Sequence, residues 1–442
     1  MNELHKAEKI IERLCQCGYE AYICGGPVRD MFLGAIPLDI DIVTQAEPEE
    51  LEKIFPDKKV KTFGISFLVT SVDGIDVATY RSDKNSGPGR FNCVAEACET
   101  LEQDLARRDF TFNALAVCSY TGEIIDPFNG RSDLERKIVR FVGDAEQRIF
   151  EDPLRMIRAA RFAALIDGHL HDNTFRAIRR NKFMVNDISP ERIRIELLKV
   201  MKYKTPSVFF DILHSTGIME LLFPEFQVMY NHTGGKYHTE PLHVHAYITG
   251  DSLSNKDPIL RLVGYFHDIG KPPTYDGTNF IDHEKIGSDM IRRLFKKYRF
   301  TIKETSRAKK LVRYHMRSID SVKTPKSARR LLKVFSDNNV SFKDWIKLKI
   351  ADKKGNLTSD DYTREEIKSF CLIVHNSTRE SKNKTGFDVK DLKVNGNDVM
   401  ELLNIKPGKQ IGDILKKLLE IVVDDPESNK RETLLSLVLQ MK

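Results

Sequence analysis

The sequence predicts an α+β protein: a small mixed sheet with helices over the first 140 residues or so, followed by all-helical domains. Three observations predict it. Short apolar and alternating runs, punctuated by turns, fill the N-terminal third. From about residue 148 the apolar residues recur at helical spacing almost without interruption. A histidine-rich helical stretch then follows, with six of the 12 histidines between residues 232 and 283.

At 442 residues the chain is long enough for about two to four domains. We read them as 1–140, 141–230, 231–356 and 357–442. Hydrophobic residues make up 41% and charged residues 30%, with a net charge of +6. That balance is ordinary for a globular chain and allows a basic face for a polyanion. The seven cysteines are odd in number and none stands in a C-x-x-C pair, which argues against a disulfide framework or a structural zinc site and for a reduced, cytoplasmic setting. Met1 to Arg13 reads as a polar amphipathic helix and not as a signal peptide. No apolar run approaches the ~20 residues that span a bilayer, so no membrane partner is expected.

Within the N-terminal part, Tyr22-Ile23-Cys24 reads as a strand. Gly25 and Gly26 follow as a turn whose backbone can approach a phosphate closely. Val28 to Leu33 then opens a helix, with Arg29 and Asp30 in it. Leu38 to Val43 alternates as a strand, which puts Asp39 and Asp41 on one face. Two carboxylates beside a phosphate cradle suit Mg²⁺ and nucleotidyl transfer. A turn and a solvated carboxylate pair are the plain alternative readings. Ile65 to Val69 and Ile75 to Ala78 read as strands joined at Asp73-Gly74. Phe112 to Val117 and Glu123 to Asp126 continue the sheet.

Arg107, Arg108 and Asp109 put two guanidinium forks and a carboxylate at one turn, followed by Asn113. Guanidinium suits phosphate and the carboxylate suits a ribose hydroxyl; a surface ion pair is the alternative. The periodic stretch Arg148 to Leu165 reads as one helix. It would set Asp152 and Arg155 at i,i+3, with Arg158 and Arg161 at further three-residue steps. Their donors and acceptors match a base edge; an i,i+3 salt bridge is the alternative. Ser189 to Lys202, with Pro190 near its start and Ser189 as N-cap, and Ser207 to Leu213 are further helices.

Gly-Gly-x-Val-Arg-Asp, Asp-x-Asp, Arg-Arg-Asp-Phe-Thr-x-Asn-Ala and Glu-Asp-x-x-Arg, in this order, resemble the class II tRNA nucleotidyltransferase and bacterial poly(A) polymerase family. The resemblance implies a polymerase-β-like nucleotidyltransferase head, a helical neck, and addition of CCA to tRNA 3′ ends from CTP and ATP. It implies that Asp39 and Asp41 hold the catalytic Mg²⁺, with Asp76 as a third carboxylate. Gly25, Gly26 and Arg29 would cradle the triphosphate, and Arg107, Arg108 and Asp109 would handle ribose and phosphate. Glu151, Asp152 and Arg155, with Arg158, would form an amino-acid template that reads the base. The loop Arg81 to Val94, with Ser86-Gly87-Pro88-Gly89-Arg90, matches in length the mobile loop that switches CTP for ATP in CCA-adding members, though it lacks the acidic-aromatic character of that loop. Poly(A) synthesis remains the rival product.

The histidines form a second pattern: a His upstream, His267-Asp268, His283, His315 and a final Asp352. It resembles the HD phosphohydrolase superfamily. The resemblance implies that His245, His267, Asp268 and Asp352 bind one divalent transition metal, and that His283 and His315 bind or flank a second. His243 is the alternative to His245. The implied activity is phosphohydrolase or 2′,3′-cyclic phosphodiesterase, and a phosphohydrolase with an RNA-binding head is a further rival. Basic residues from Arg292 to Lys333 suggest a face for RNA. Asn395 to Met400 and Lys406 to Gly412 resemble the C-terminal tail of bacterial CCA-adding enzymes, which implies tRNA binding there. An oligomer through the HD region or the tail stays open.

Overall fold

The computed structural model describes residues 3–37, 39–62, 68–85, 93–233, 239–384 and 388–441. The chain divides into two compact units, Met1–Gln227 and Val228–Lys442.

The first unit starts with the helix Glu3–Gln16, whose Ala7, Ile10, Ile11 and Leu14 form one buried stripe. The strands that follow are β1 (Ala21–Cys24), β2 (Asp41–Thr44), β3 (Val60–Thr62), β4 (Val69–Val72), β5 (Ile75–Thr79), β6 (Arg81–Asn85), β7 (Cys93–Ala97), β8 (Ala116–Val117) and β9 (Ile124–Ile125). Seven of them form one sheet in the order β3-β4-β5-β2-β1-β8-β9. β2 and β5 run parallel and the other neighbours antiparallel, so the sheet is mixed.

Register sets the site. Asp41 pairs with Asp76, Asp76 with Ser71, and Ser71 with Lys61. Residues directly opposite one another share a face, so these four side chains form one row across four strands. The helix Gly26–Phe32 leaves the end of β1 at Gly25.

The structure corrects several sequence expectations. β2 begins at Asp41, so Asp39 lies in a bend two residues before the strand. Leu38, and Ile65 to Phe67 of the expected strand, lie outside the described residues. The stretch expected to be a strand from Phe112 is a 3-10 turn, Thr111–Asn113, with only Ala116–Val117 extended. Its Thr111 and Asn113 side chains are buried against Asp133 and Asp109, which favours the turn over a pleat. The ends of the expected loop pair as the hairpin β6–β7, which hydrophobic alternation could not flag because the segment has few apolar residues. Residues 86–92, including Ser86 to Arg90, lie outside the described residues.

At the end of the head the short strand Ile138–Val139 pairs in parallel with His169–Leu170, and a helical part follows. The expected single helix from Arg148 is two helices, Ala145–Glu151 and Leu154–Ile166. Asp152 between them is extended, at φ −151° and ψ 103°. Pro153 explains the break: it lacks an N–H and disfavours helical backbone in the residue before it. The helices Pro190–Val200 and Ser207–Thr216 lie close to their expected bounds, although the Ser189 side chain makes no capping bond.

The second unit is helical. Leu242–Ser252, Pro258–Phe266, His283–Lys297, Ile302–Tyr314 and Phe342–Gly355 surround the histidine cluster. Gly396–Leu403, Lys409–Asp424 and Arg431–Gln440 close a separate small core around Val399, Leu418, Leu434 and Val438. No helix among the described residues is long and apolar enough to cross a membrane.

The basic stretch expected to face RNA is partly used inside the fold. Arg329 is buried and donates to the carbonyls of Val423 at 2.7 Å and Asp424 at 2.9 Å. Arg330 pairs with the Asp424 carboxylate at 2.6 Å, and Arg307 pairs with Asp344 at 2.8 Å and with Asp257. These guanidiniums cap helix ends and tie helices together.

Candidate active sites

The head site is built around Gly25 and the carboxylate row. Gly25 has φ 80°, and a Cβ there would lie 2.6 Å from Arg108 Nη1. Only glycine admits both that backbone and that approach. Arg108 is fixed from the other side by Asp104, whose side chain is fully buried. Asp104 accepts from Arg107 at 2.7 and 3.0 Å and from Arg108 at 3.0 and 3.3 Å. Burial pushes the Asp104 carboxyl up, but the two guanidiniums outweigh it and hold it below the usual carboxylate range. Asp104 is not among the site residues expected from the sequence, although its i,i+3 and i,i+4 spacing to the two arginines is a readable signal.

Asp109 makes a second anchor. Its Oδ1 accepts from the Phe110 N–H and Asn113 Nδ2, both at 2.9 Å, and its Oδ2 accepts from Arg158 Nε at 2.8 Å. Asn113 Oδ1 in turn accepts from Arg29 Nη1 at 2.8 Å. The Arg29, Arg158 and Arg161 guanidiniums all lie over the Phe162 ring, at 5.1, 5.4 and 3.8 Å. Arg161 also pairs with buried Glu196.

Asp41 and Asp76 stand side by side on the exposed face, with Asp39 nearby. Asp41 lies at the open end of its strand, yet surrounding atoms restrict its hydration. That desolvation, then the charges of Asp76 and Asp39, raise its carboxyl above the usual value, while Arg108 opposes them. Adjacent carboxylates that repel one another in this way are suited to a divalent cation. Among the described residues, the triads whose ligand atoms all close to within 4.8 Å lie in the second unit and not here.

Glu151 and Asp152 have different partners. Glu151 pairs with Arg148 at 2.8 Å and with Arg155. The Asp152 carboxylate is not the ion-pair partner of Arg155, whose backbone N–H donates to the Asp152 carbonyl at 2.9 Å; the Asp152 Oδ2 accepts instead from Arg192 Nη2 at 2.6 Å. Arg155 Nη1 donates to the Arg148 carbonyl at 3.0 Å and its Nη2 to the Arg107 carbonyl at 3.3 Å. Contacts therefore run from Arg108 through Asp104, Arg107 and Arg155 to Glu151, and the Arg108 charge acts on Asp41. Arg148 could have been found by its i,i+3 spacing to Glu151, whereas Arg192 carried no sequence signal as a partner.

In the second unit all six expected residues meet. His245 Nε2 lies 3.1 Å from His267 Nε2 and 3.1 Å from Asp352 Oδ1. Asp268 Oδ2 lies 3.4 Å from His267 Nε2, and Asp268 Oδ1 lies 3.3 Å from His315 Nε2 and 3.5 Å from His283 Nε2. Two triads result, His245–His267–Asp268 and Asp268–His283–His315, with Asp268 common to both. In His267, His283 and His315, Nδ1 lies 2.7–2.8 Å from the carbonyl three residues earlier, which aims Nε2 as a lone-pair donor into the centre. His245 has instead the buried Glu240 carboxylate 3.6 Å from its Nδ1. Gly355 makes room for that ring, since a Cβ there would lie 2.8 Å from His245 Nδ1.

Lys271 and Lys349 pair with Asp268 at 2.6 Å and Asp352 at 2.8 Å. Burial lowers the His267 imidazole, but the Asp268 and Asp352 carboxylates outweigh it and push it up to about 10. Converging imidazole nitrogens and carboxylate oxygens in a buried centre fit divalent metals. His243, the alternative ligand, stacks on Tyr230 at 4.1 Å; His232 lies against Tyr275, and His238 is outside the described residues.

Comparison with known proteins agrees with this architecture. Residues 21–140 match the Poly A polymerase head domain, 169–229 the "Probable RNA and SrmB- binding site of polymerase A", and 240–338 the HD domain. A CCA-adding enzyme of Ligilactobacillus salivarius is 29% identical over 98% of this chain and 96% of that protein. One from Geobacillus stearothermophilus is 40% identical, over 47% of this chain and 52% of that protein. Among solved structures, a Bacillus stearothermophilus CCA-adding enzyme in complex with CTP aligns with a TM-score of 0.64 and 24% identity, covering 100% of this chain and 98% of that one. A Thermotoga maritima CCA-adding enzyme complexed with tRNA aligns with a TM-score of 0.57 and 22% identity, covering 99% and 95%. The fold is the one these structures share, and the chain, which carries a Poly A polymerase head domain followed by an HD domain, is similar to CCA-adding enzymes over nearly its whole length.

Proposed function

We infer that this protein is a template-independent nucleotidyltransferase that builds or repairs the 3′ CCA of tRNA from CTP and ATP. The observation that carries the reading is the set of contacts from Arg108, whose charge acts on Asp41, through Asp104 and Arg107 to Arg155 and Glu151. It couples a cation-binding carboxylate row to a candidate base-reading cluster within one unit. Asp39, Asp41 and Asp76 would hold Mg²⁺, which supplies the charge that lowers the pKa of the RNA 3′-hydroxyl and neutralises departing pyrophosphate. The backbone at Gly25 and Gly26, with Arg29, Arg107 and Arg108, receives the phosphates. Asp109 holds Arg158 and Asn113 in place. Glu151, Asp152 and Arg155 present fixed acceptors and donors to the base, and an entering base exchanges with the arginines that hold them. Catalysis is then mainly positioning and charge stabilisation.

The four parts of the chain take distinct roles in this reading: head 1–140, neck 141–230, HD domain 231–356, and a tail 357–442 that holds the body of tRNA. The described cysteines are free thiols, which supports a cytoplasmic setting. The test is incubation with tRNA lacking CCA and each nucleotide singly. CTP alone should add to the bare end and ATP alone should not; unlimited ATP addition to generic RNA would instead identify a poly(A) polymerase.

A second activity is supported by the shared Asp268. One carboxylate facing two histidine pairs suits two divalent transition metals, and hence a phosphohydrolase or 2′,3′-cyclic phosphodiesterase. Release of phosphate or ring opening of 2′,3′-cyclic AMP, dependent on added Ni²⁺, Co²⁺ or Mn²⁺ and lost in Asp268→Ala, tests it.

A further inference from the structure

A groove of about 820 Å³ at the β3 edge of the head lies outside the residues assigned so far. Its cationic lining is Lys6, Lys9, Arg13, Lys58, Lys59 and Lys61, and its one lining carboxylate is Asp73. Asp73 is engaged: its Oδ2 pairs with Lys58 at 3.0 Å and its Oδ1 accepts from the Lys59 N–H at 3.1 Å. Arg13 is held over Phe55 at 5.1 Å and pairs with Asp57 at 2.6 Å. Among the described residues, no carboxylate lies within ion-pair distance of Lys6, Lys9, Lys59 or Lys61.

Two features give the groove a direction. Its lining includes Ser71, which is in register with Asp76, and Lys61, which is in register with Ser71. The groove therefore shares two positions, Lys61 and Ser71, with the row that ends at Asp76 and Asp41. Neighbouring strands are about 4.8 Å apart, so Lys61 stands about 14 Å from Asp41 along that row. That is about four phosphate steps of a nucleic-acid strand at 3.4 Å each. The apolar lining, Ile10 and Phe55, is buried and leaves no apolar anchor for a protein partner.

We propose that this groove is an RNA track: its lysines bind the sugar-phosphate backbone of the RNA whose 3′ end is extended at Asp41 and Asp76. The inference rests on the nucleotidyltransferase reading and adds a head-borne contact with its substrate. Backbone phosphates are recognised by spaced cations without base readout, which suits an enzyme that must accept many tRNA sequences.

The test compares full-length wild type with the quadruple variant K6Q/K9Q/K59Q/K61Q, using tRNA lacking CCA as the probe. Affinity is measured over a series of salt concentrations. The slope of log affinity against log salt should fall by about 3 on losing four phosphate contacts, and binding at low salt should weaken roughly tenfold or more. The loss should fall on KM for tRNA and not on KM for CTP. An unchanged slope with unchanged affinity overturns the track, as does selective loss of polyglutamate binding, which would mark a site for acidic protein. If the quadruple variant does not fold, single K9Q and K61Q variants should each lower the slope by about 0.7, and no change in either overturns the proposal. Failure of the underlying reading shows separately, as wild type that neither binds nor extends tRNA.

Discussion

Asp152 accepts its ion pair from Arg192, 40 residues downstream and 2.6 Å away. It is thus held by a different helix from Arg155, whose carboxylate partner is Glu151. The candidate template is assembled from three helices rather than from one face of one helix, so the aim of Asp152 depends on Pro190–Val200 as much as on its own segment.

Arg192→Ala should loosen Asp152 without touching the carboxylate row. We expect discrimination among nucleotides to decline, with kcat/KM for CTP down roughly tenfold, about 1.4 kcal/mol, and UTP or GTP misincorporation up. Single-nucleotide extension gels give both quantities. Unaltered selectivity would remove Asp152 from base reading.

Asp104 is the buried anchor of the two cradle arginines. Asp104→Asn should destabilise the head by about 3 kcal/mol or more in urea unfolding, because it leaves the two guanidiniums without their countercharge. The pH dependence has a definite sign. The folded carboxyls of Asp104 and Asp109 are depressed, so their contribution is complete above the unfolded value of about 3.9 and is lost as pH falls below it toward the folded values. The wild-type urea midpoint should therefore drop as pH falls from about 4 toward 2, and less steeply in Asp104→Asn. Parallel profiles would contradict this.

Glu240 is buried beside His245 Nδ1, at the ring position served by backbone carbonyls in the other three histidines. It also accepts from the Leu357 N–H at 3.3 Å, next to the helix that carries Asp352. Glu240→Gln should weaken transition-metal affinity roughly 10- to 100-fold in a competition titration with a chelating dye. CTP incorporation should stay at the wild-type rate. Equal metal affinity would show that Glu240 does not orient the ring.

The two candidate sites should separate genetically. Asp41→Ala should abolish CTP incorporation and leave metal-dependent phosphohydrolysis intact; Asp268→Ala should do the reverse. Incorporation that survives Asp41→Ala would displace the metal assignment in the head.

Much of this architecture was legible because its chemistry needs fixed residue types at short spacing. Gly25-Gly26, Asp39-x-Asp41 and Arg107-Arg108-Asp109 are local, and His267-Asp268 marks the histidine cluster even though its partners are dispersed. What stayed hidden depends on pairings made only after folding. Arg192 reaches Asp152 across 40 residues, and Glu240 reaches Leu357 across 117. Arg329, one cation of a basic stretch, is spent on helix-end carbonyls 94 and 95 residues away. The break at Asp152 was readable from Pro153, but the apolar period on either side masked it.

The central claim is that the head adds a defined CCA and stops. The most direct measurement is 3′-end sequencing of products from tRNA lacking CCA, incubated with CTP and ATP together. The account predicts two cytidines, then one adenosine, and no further growth. Runs of adenosine of variable length, or extension of RNA without a tRNA body, would contradict it.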